Sequence, residues 1–197
     1  QSKVAESMLS KTNMSPSKVI REVSIEFLGG SHPQTRLLGE PSYRDNGTLY
    51  FDDVEYLRQS RSARIESLTV YYSDYINGIE VSYYIGSLLK TLSHASYSGR
   101  KSRIDFFLNE AIATISCTFD EDGIHSIKIL STDGRKLEAV GRVGLGKLSK
   151  EISMTADKDI VGFVGSIKAH LRSLFVYLVR SEEGIAERSL YELEEIA

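Results

Sequence analysis

Lys168, His170 and Arg172 place three basic side chains on one five-residue stretch, with Ala169 and Leu171 between them. Lysine and arginine carry hydrogen-bond donors and no acceptor. A turn built from them can therefore recognise an anion: a phosphate, a sulfated glycan, an acidic peptide or a lipid headgroup. The plainer reading of the same run is a solvated loop. Other candidates for chemistry are thinner. Asp52-Asp53 has the form of a carboxylate pair for general acid–base work, although a structural, turn-side role accounts for it as well. His32, His94, His125 and His170 are dispersed, with no His-Glu-x-x-His arrangement, so neither a metal site nor a cofactor is expected. Arg100, Lys101 and Arg103 read as a solvated loop end beside Tyr97. The chain has no Gly-x-Ser-x-Gly elbow and no phosphate-binding glycine loop. Recognition is expected, and catalysis is not.

The elements that must position these residues are written in a repeat. An apolar–x–small or polar–apolar–x–apolar pattern occurs three times, as Ile76–Val81, Ile124–Ile129 and Leu171–Val176, with starts 48 and 47 residues apart. Each copy follows an apolar segment by 11 or 12 residues, counted from Ile65, Ile112 and Ile160. Two strand patterns joined by a short polar turn, repeated at constant period, predict one hairpin used three times. Ile79, Val81 and Tyr83 alternate with Glu80 and Ser82, as in a half-buried strand. Asp122-Gly123 suits the turn of the second hairpin, where glycine adopts positive φ freely.

At 197 residues the chain suits one domain with a proper core. Net charge is −3, but residues 182–197 hold six Glu and one Arg, a net of −5 that leaves about +2 on the rest. A body so near neutrality gives no electrostatic case for nucleic acid. No apolar run approaches the length of a transmembrane segment. The single cysteine, Cys117, shares a face with Ala113, Ile115 and Phe119 and reads as a buried, inert thiol. The absence of a signal-like N-terminus favours a reduced, cytoplasmic setting. Asn13-Met14-Ser15 and Asn46-Gly47-Thr48 are glycosylation-type triplets that argue weakly the other way. The chain begins with Gln, as expected of a domain excised from a longer protein.

Residues 1–17 read as a polar arm or linker and residues 18–180 as the domain. Strand-like sequence runs from Lys18 to Leu28 and is broken by Gly29-Gly30. Residues 31–47 read as a loop, 49–51 as a strand, and the segment between Ile85 and Arg103 as a long connection. Lys136–Val140 and Glu151–Met154 read as short strands, and 141–146 as a flexible loop. Ser181 followed by Glu182 and Glu183 has the form of a helix N-cap with acids in the first turn. This predicts an acidic C-terminal helix over 181–197, which packs on its own domain or on a partner.

Phe51-Asp52-Asp53, Ile65–Val70, Tyr75–Tyr83, Phe107-Leu108-Asn109-Glu110 and Ser131–Lys136 resemble segments of the jacalin-related lectins. So does the run Ile160-Val161-Gly162-Phe163-Val164-Gly165-Ser166-Ile167, leading into Leu171 and Tyr177-Leu178. The likeness spans roughly residues 20–180. It implies an all-β fold, a β-prism of three four-stranded Greek-key sheets around a pseudo-threefold axis, to which the C-terminal helix would be added. The resemblance also implies a sugar site made by an early glycine-rich turn, for which Gly39 is the candidate, and a Gly-x-x-x-Asp turn in the last repeat. In this chain that second segment reads Lys168-Ala169-His170-Leu171-Arg172, with Lys168 at the glycine position and Arg172 at the aspartate position. Arginine cannot replace an acceptor, and Lys168 adds a side chain where the loop should approach the sugar. The equivalent aspartate positions of the other repeats are Asn77 and His125, and the glycine positions are Ser73 and Glu121. The family's sugar motif is therefore degenerate in all three copies.

Three functional expectations follow. The first is a non-catalytic recognition or targeting module of a larger intracellular protein, binding a protein partner or anionic ligand. The second is a lectin whose altered site takes its acceptor from Glu40 or Asp45. The third is an assembly domain docking through its acidic helix. Jacalin-like domains also occur as appendages of multidomain proteins, including fungal proteins with a zinc metallopeptidase region. In such a parent the peptidase motif would lie outside these residues.

Overall fold

The computed structural model describes residues 23–31, 43–45, 47–57, 63–155 and 158–180. The arm over 1–17, Gly39 and Glu40 on the early loop, and the helix over 181–197 lie outside the described residues. The chain opens with strands β1 (Val23–Gly30), β2 (Tyr43–Asp45) and β3 (Thr48–Asp52) and a single helical turn, α1 (Val54–Leu57). Four strands follow: β4 (Ala63–Tyr72), β5 (Ile76–Ile85), β6 (Leu88–Ala95) and β7 (Arg100–Asp105). The next four are β8 (Ile112–Asp120), β9 (Gly123–Ser131), β10 (Lys136–Val140) and β11 (Leu148–Ser153). The last hairpin is β12 (Lys158–Ile167) with β13 (Leu171–Arg180).

The three repeats are the hairpins β4–β5, β8–β9 and β12–β13, one at the centre of each sheet. The orders β6-β5-β4-β7 and β10-β9-β8-β11 are Greek keys, with three hairpin-linked strands and a fourth returning beside the first. The third key is closed by the start of the chain: β1 pairs β13, β3 pairs β12, and β2 adds a fifth, three-residue strand at the edge. The expected β-prism is thus the observed fold. Its three apolar pattern positions supply the core. Ile76, Ile124 and Leu171 are fully buried, as are Ile79, Ile127, Leu174, Val81, Ile129 and Val176, none more than 2% exposed. Each such side chain contributes about 1.5–3 kcal/mol by leaving water.

Polar contacts mark the three seams between sheets. Ser102 Oγ donates to the Glu138 carbonyl at 2.8 Å across β7 and β10. Lys150 Nζ lies 3.5 Å from Glu26 across β11 and β1. At the third seam Asp53, just after β3, accepts the Tyr83 hydroxyl of β5, and His94 Nε2 of β6 lies 2.5 Å from its Oδ1. The His94 ring stacks on Phe51 at 3.9 Å. Asp52 Oδ1 accepts the Val54 N–H at 2.9 Å, and Oδ2 accepts the Tyr177 hydroxyl at 3.1 Å. The doublet is structural and stands at the turn from β3 into α1, as one reading of it held, and its carboxylates are buried.

Three readings of the chain change. Gly29-Gly30 does not break the first strand, which runs through it with a register shift between Phe27 and Gly29. The missing side chains let β1 lie close on Cys117 and on the Arg172 backbone. The connection between Ile85 and Arg103 contains two edge strands, β6 and β7, and the short strand near Glu151 begins at Leu148. Cys117 is buried, its Sγ 3.0 Å from the Leu28 carbonyl, and burial pushes its thiol up to about 12.

Phe107–Glu110 and Ser131–Lys136, two segments that carried the family likeness, meet in space. Arg135 pairs with the buried carboxylate of Glu110, donating from Nε to Oε1 at 2.9 Å, and lies over the Phe107 ring at 4.3 Å. The Arg135 hydrogen bonds hold the Glu110 carboxyl down at about 2, against 4.5 ordinarily. A depressed folded-state value contributes stability that is complete above the unfolded value and is lost as pH falls through the folded one. Stability is therefore expected to drop between about pH 4.5 and about pH 2. In Glu110→Gln the urea midpoint should be lower at neutral pH and fall less steeply through that window. An unchanged slope would assign acid sensitivity to other groups.

Candidate functional site

The turns of the three hairpins meet at one end of the prism. The 168–170 turn is tight, with the Lys168 N–H donating to the His170 carbonyl at 3.1 Å. His170 Nε2 lies 2.6 Å from the Asp122 carbonyl in the second turn, so it is this nitrogen that carries the proton and donates. The His170 ring stacks on Tyr75 of the first turn at 4.1 Å, and Tyr75 lies 4.6 Å from the ring of His125. One residue from each hairpin thus joins a common stack. Loop 141–147 lies against the same end, with the Gly141 N–H donating to the His125 carbonyl and the Arg142 N–H to the Asp74 carbonyl, both at 2.9 Å.

The three aspartate-equivalent positions have different fates here. Asn77 is buried, accepts the Ser73 hydroxyl at 3.2 Å and donates from Nδ2 to the Ser98 carbonyl at 2.9 Å. His125 is buried with Nε2 2.6 Å from Asp120 Oδ2. Burial works to raise the Asp120 carboxyl, but the Asp122 N–H and the His125 ring outweigh it and hold it low. Both positions are therefore engaged within the fold. Arg172 is half-buried. Its carbonyl accepts the Ser31 N–H at 2.8 Å and the Ser31 hydroxyl at 3.3 Å. Among the described residues its guanidinium and the exposed Lys168 ammonium have no ion-pair partner. Of the three, only the third carries a side chain without such a partner among the described residues.

The fold gathers Lys168, Ala169 and Arg172 on one turn, but it withdraws His170 from the basic cluster into the stack. Tyr75, Asp122 and Ser31 help to shape this end, and none of them was among the candidate binding residues. Gly30 belongs with them, since a Cβ there would overlap the Arg172 carbonyl oxygen. The Gly29-Gly30 doublet was the available signal, whereas Gly39 lies outside the described residues. Arg100 lies 4.7 Å over Tyr72, and Arg103 pairs with Asp105 at 2.6 Å, so these two cations of β7 have intramolecular partners.

A model of the jacalin-like lectin domain matches residues 40–177. The chain belongs to that family. Solved jacalin-related lectins share its fold at low identity. Wild-type Malaysian banana lectin is 16% identical with a TM-score of 0.54, the match covering 83% of this chain and 99% of that one. The mannose-binding lectin of champedak is 16% identical with a TM-score of 0.56 over 84% and 99%. AcmJRL, a mannose-binding jacalin-related lectin from Ananas comosus, is 14% identical with a TM-score of 0.56 over 80% and 98%. No curated protein matches the chain. This jacalin-like domain shares the prism with those lectins at 14–16% identity.

Proposed function

We propose that this domain is a non-catalytic recognition module of a larger intracellular protein, and that its 168–172 turn binds an anionic ligand or an acidic protein segment in preference to a neutral sugar. The observation that carries this reading is Arg172. It stands where the family motif has its acceptor, and it is the one equivalent position of the three whose side chain has no described partner. Hydroxyls of a neutral hexose need acceptors as well as donors, and Lys168 and Arg172 offer donors alone. The mannose-binding names of two structural neighbours belong to those proteins. They support a recognition role here without specifying its ligand.

Glycan arrays that contain neutral and sulfated sugars test the reading. The domain is expected to retain sulfated glycans and to ignore mannose and galactose at millimolar concentration. Each exposed charge contact contributes about 0.2–1 kcal/mol and weakens with salt. Lys168→Glu with Arg172→Glu should therefore abolish the retention. Lys168→Gly with Arg172→Asp should also lose it, and gain weak binding to a neutral hexose as the acceptor and the close backbone approach return. Millimolar binding of mannose by the unmodified domain would overturn the proposal in favour of a lectin with an acceptor elsewhere, for example Asp45 on β2.

A further inference from the structure

The loop between β10 and β11 reads Gly141-Arg142-Val143-Gly144-Leu145-Gly146-Lys147 and, with Leu148 at the start of β11, exposes aliphatic side chains at the end of the prism that carries Lys168 and Arg172. Val143 is 89% exposed, Leu148 57% and Leu145 39%, and among the described residues no element covers them. Soluble domains seldom leave several neighbouring aliphatics in water without a use for them. The loop's anchors are backbone bonds from Gly141 and Arg142 to the other turns, so its tip is not needed by the core. Arg142 and Lys147 flank the apolar residues, both are exposed, neither is ion-paired to a described residue, and the loop contains no acid. The 168–172 turn is likewise free of acids. Acids do stand on the other two turns, at Asp74, Glu121 and Asp122, so the cationic character belongs to these two segments and not to the whole end.

We propose that loop 141–147 docks this end of the domain on an anionic lipid bilayer, with Val143 and Leu145 entering the headgroup–acyl boundary and Arg142, Lys147, Lys168 and Arg172 facing lipid phosphates. Aliphatic residues on a projecting loop, bracketed by cations, combine the two terms of interfacial binding: apolar burial and attraction to anionic headgroups. A protein hot spot would instead centre on aromatic anchors, and the loop has none. The acidic segment of residues 182–197 is the obvious intramolecular competitor by charge. Strand β13, which precedes that segment in sequence, ends at Arg180, ten residues from the turn and about 30 Å away at the strand rise per residue. The proposal rests on the anionic-ligand reading for Lys168 and Arg172, and on the loop independently.

Sedimentation with vesicles tests it, using phosphatidylcholine alone and phosphatidylcholine mixed with phosphatidylserine. The full chain is expected to sediment with the mixed vesicles, less so in high salt, and not with phosphatidylcholine alone. Val143→Asp should weaken that partitioning about tenfold or more. Arg142→Glu with Lys147→Glu should do the same, about tenfold or more. Thermal melts of these surface variants should match the parent. Failure of the unmodified chain to sediment with anionic vesicles overturns the docking, and retained binding of a sulfated glycan would then leave the anionic-ligand reading standing. Sedimentation that ignores Val143→Asp but disappears with Lys168→Glu and Arg172→Glu also overturns it, since the turn would then be binding headgroups without insertion of the loop.

Discussion

Asp53→Ala is expected to lower the free energy of unfolding by about 2–6 kcal/mol, the sum for two buried polar groups left unsatisfied. The carboxylate is fully buried, and it holds Tyr83 and His94 of a neighbouring sheet. Alanine would leave both polar groups without that partner in the core, at about 1–3 kcal/mol each. Tyr83 is also fully buried. Burial, followed by the Asp53 charge, pushes its phenol well above the ordinary value, so the hydroxyl remains a donor throughout the working range of pH. Tyr83→Phe removes one hydrogen bond to a charged group and should cost less, about 1.5–3 kcal/mol. Denaturant titration of the two variants checks the order. An Asp53→Ala midpoint no lower than that of a typical surface variant would mean that this seam is held by apolar packing alone.

Gly30→Ala is expected to cost about 2–5 kcal/mol, combining the 1–2 kcal/mol of a left-handed backbone with the 1–3 kcal/mol of overpacking. Gly30 has φ of 106°, and a Cβ there would meet backbone, the Arg172 carbonyl oxygen and the Ser173 Cα, which cannot swing aside as a side chain could. The substitution should also disturb anion binding, because the next residue, Ser31, donates to the Arg172 carbonyl. Gly134→Ala is the control. Its φ of 80° is equally unfavourable for a side chain, but nothing lies within 4 Å of the added Cβ. It should cost only the backbone term, about 1–2 kcal/mol, and leave ligand binding alone. Equal losses in the two variants would show that the close approach of β1 to the 168–172 turn carries no energetic weight.

The difference between the central strands and the edge strands β6 and β7 shows what a sequence can display. Ile76–Val81, Ile124–Ile129 and Leu171–Val176 were legible because both neighbours of a central strand bury its inward face, so every apolar position is occupied by an apolar residue. β6 and β7 were not. Each has one paired neighbour, and only Leu92 and His94 of β6 and Ile104 of β7 are buried. Hydrophobic periodicity reports burial, and a strand with so little burial has almost no pattern to read.

The same limit applies to the site. The sequence by itself determined the threefold hairpin repeat and the presence of Lys168 and Arg172 on its last turn, and the family resemblance supplied the prism, since each of these is a local pattern or a residue identity. It could not determine that β1 and β3 complete the last sheet, nor that Asp53 joins two sheets. His170 is drawn onto Tyr75 and Asp122, which lie 95 and 48 positions earlier in the chain. Those outcomes depend on which ends of the hairpins converge when three sheets close around one core. Asn77 and His125 find their hydrogen-bond partners within their own repeats, but only that closure sets the Tyr75 ring against both His125 and His170, because a side chain's partners are set by its neighbours in space and its sequence pattern records only whether it is buried.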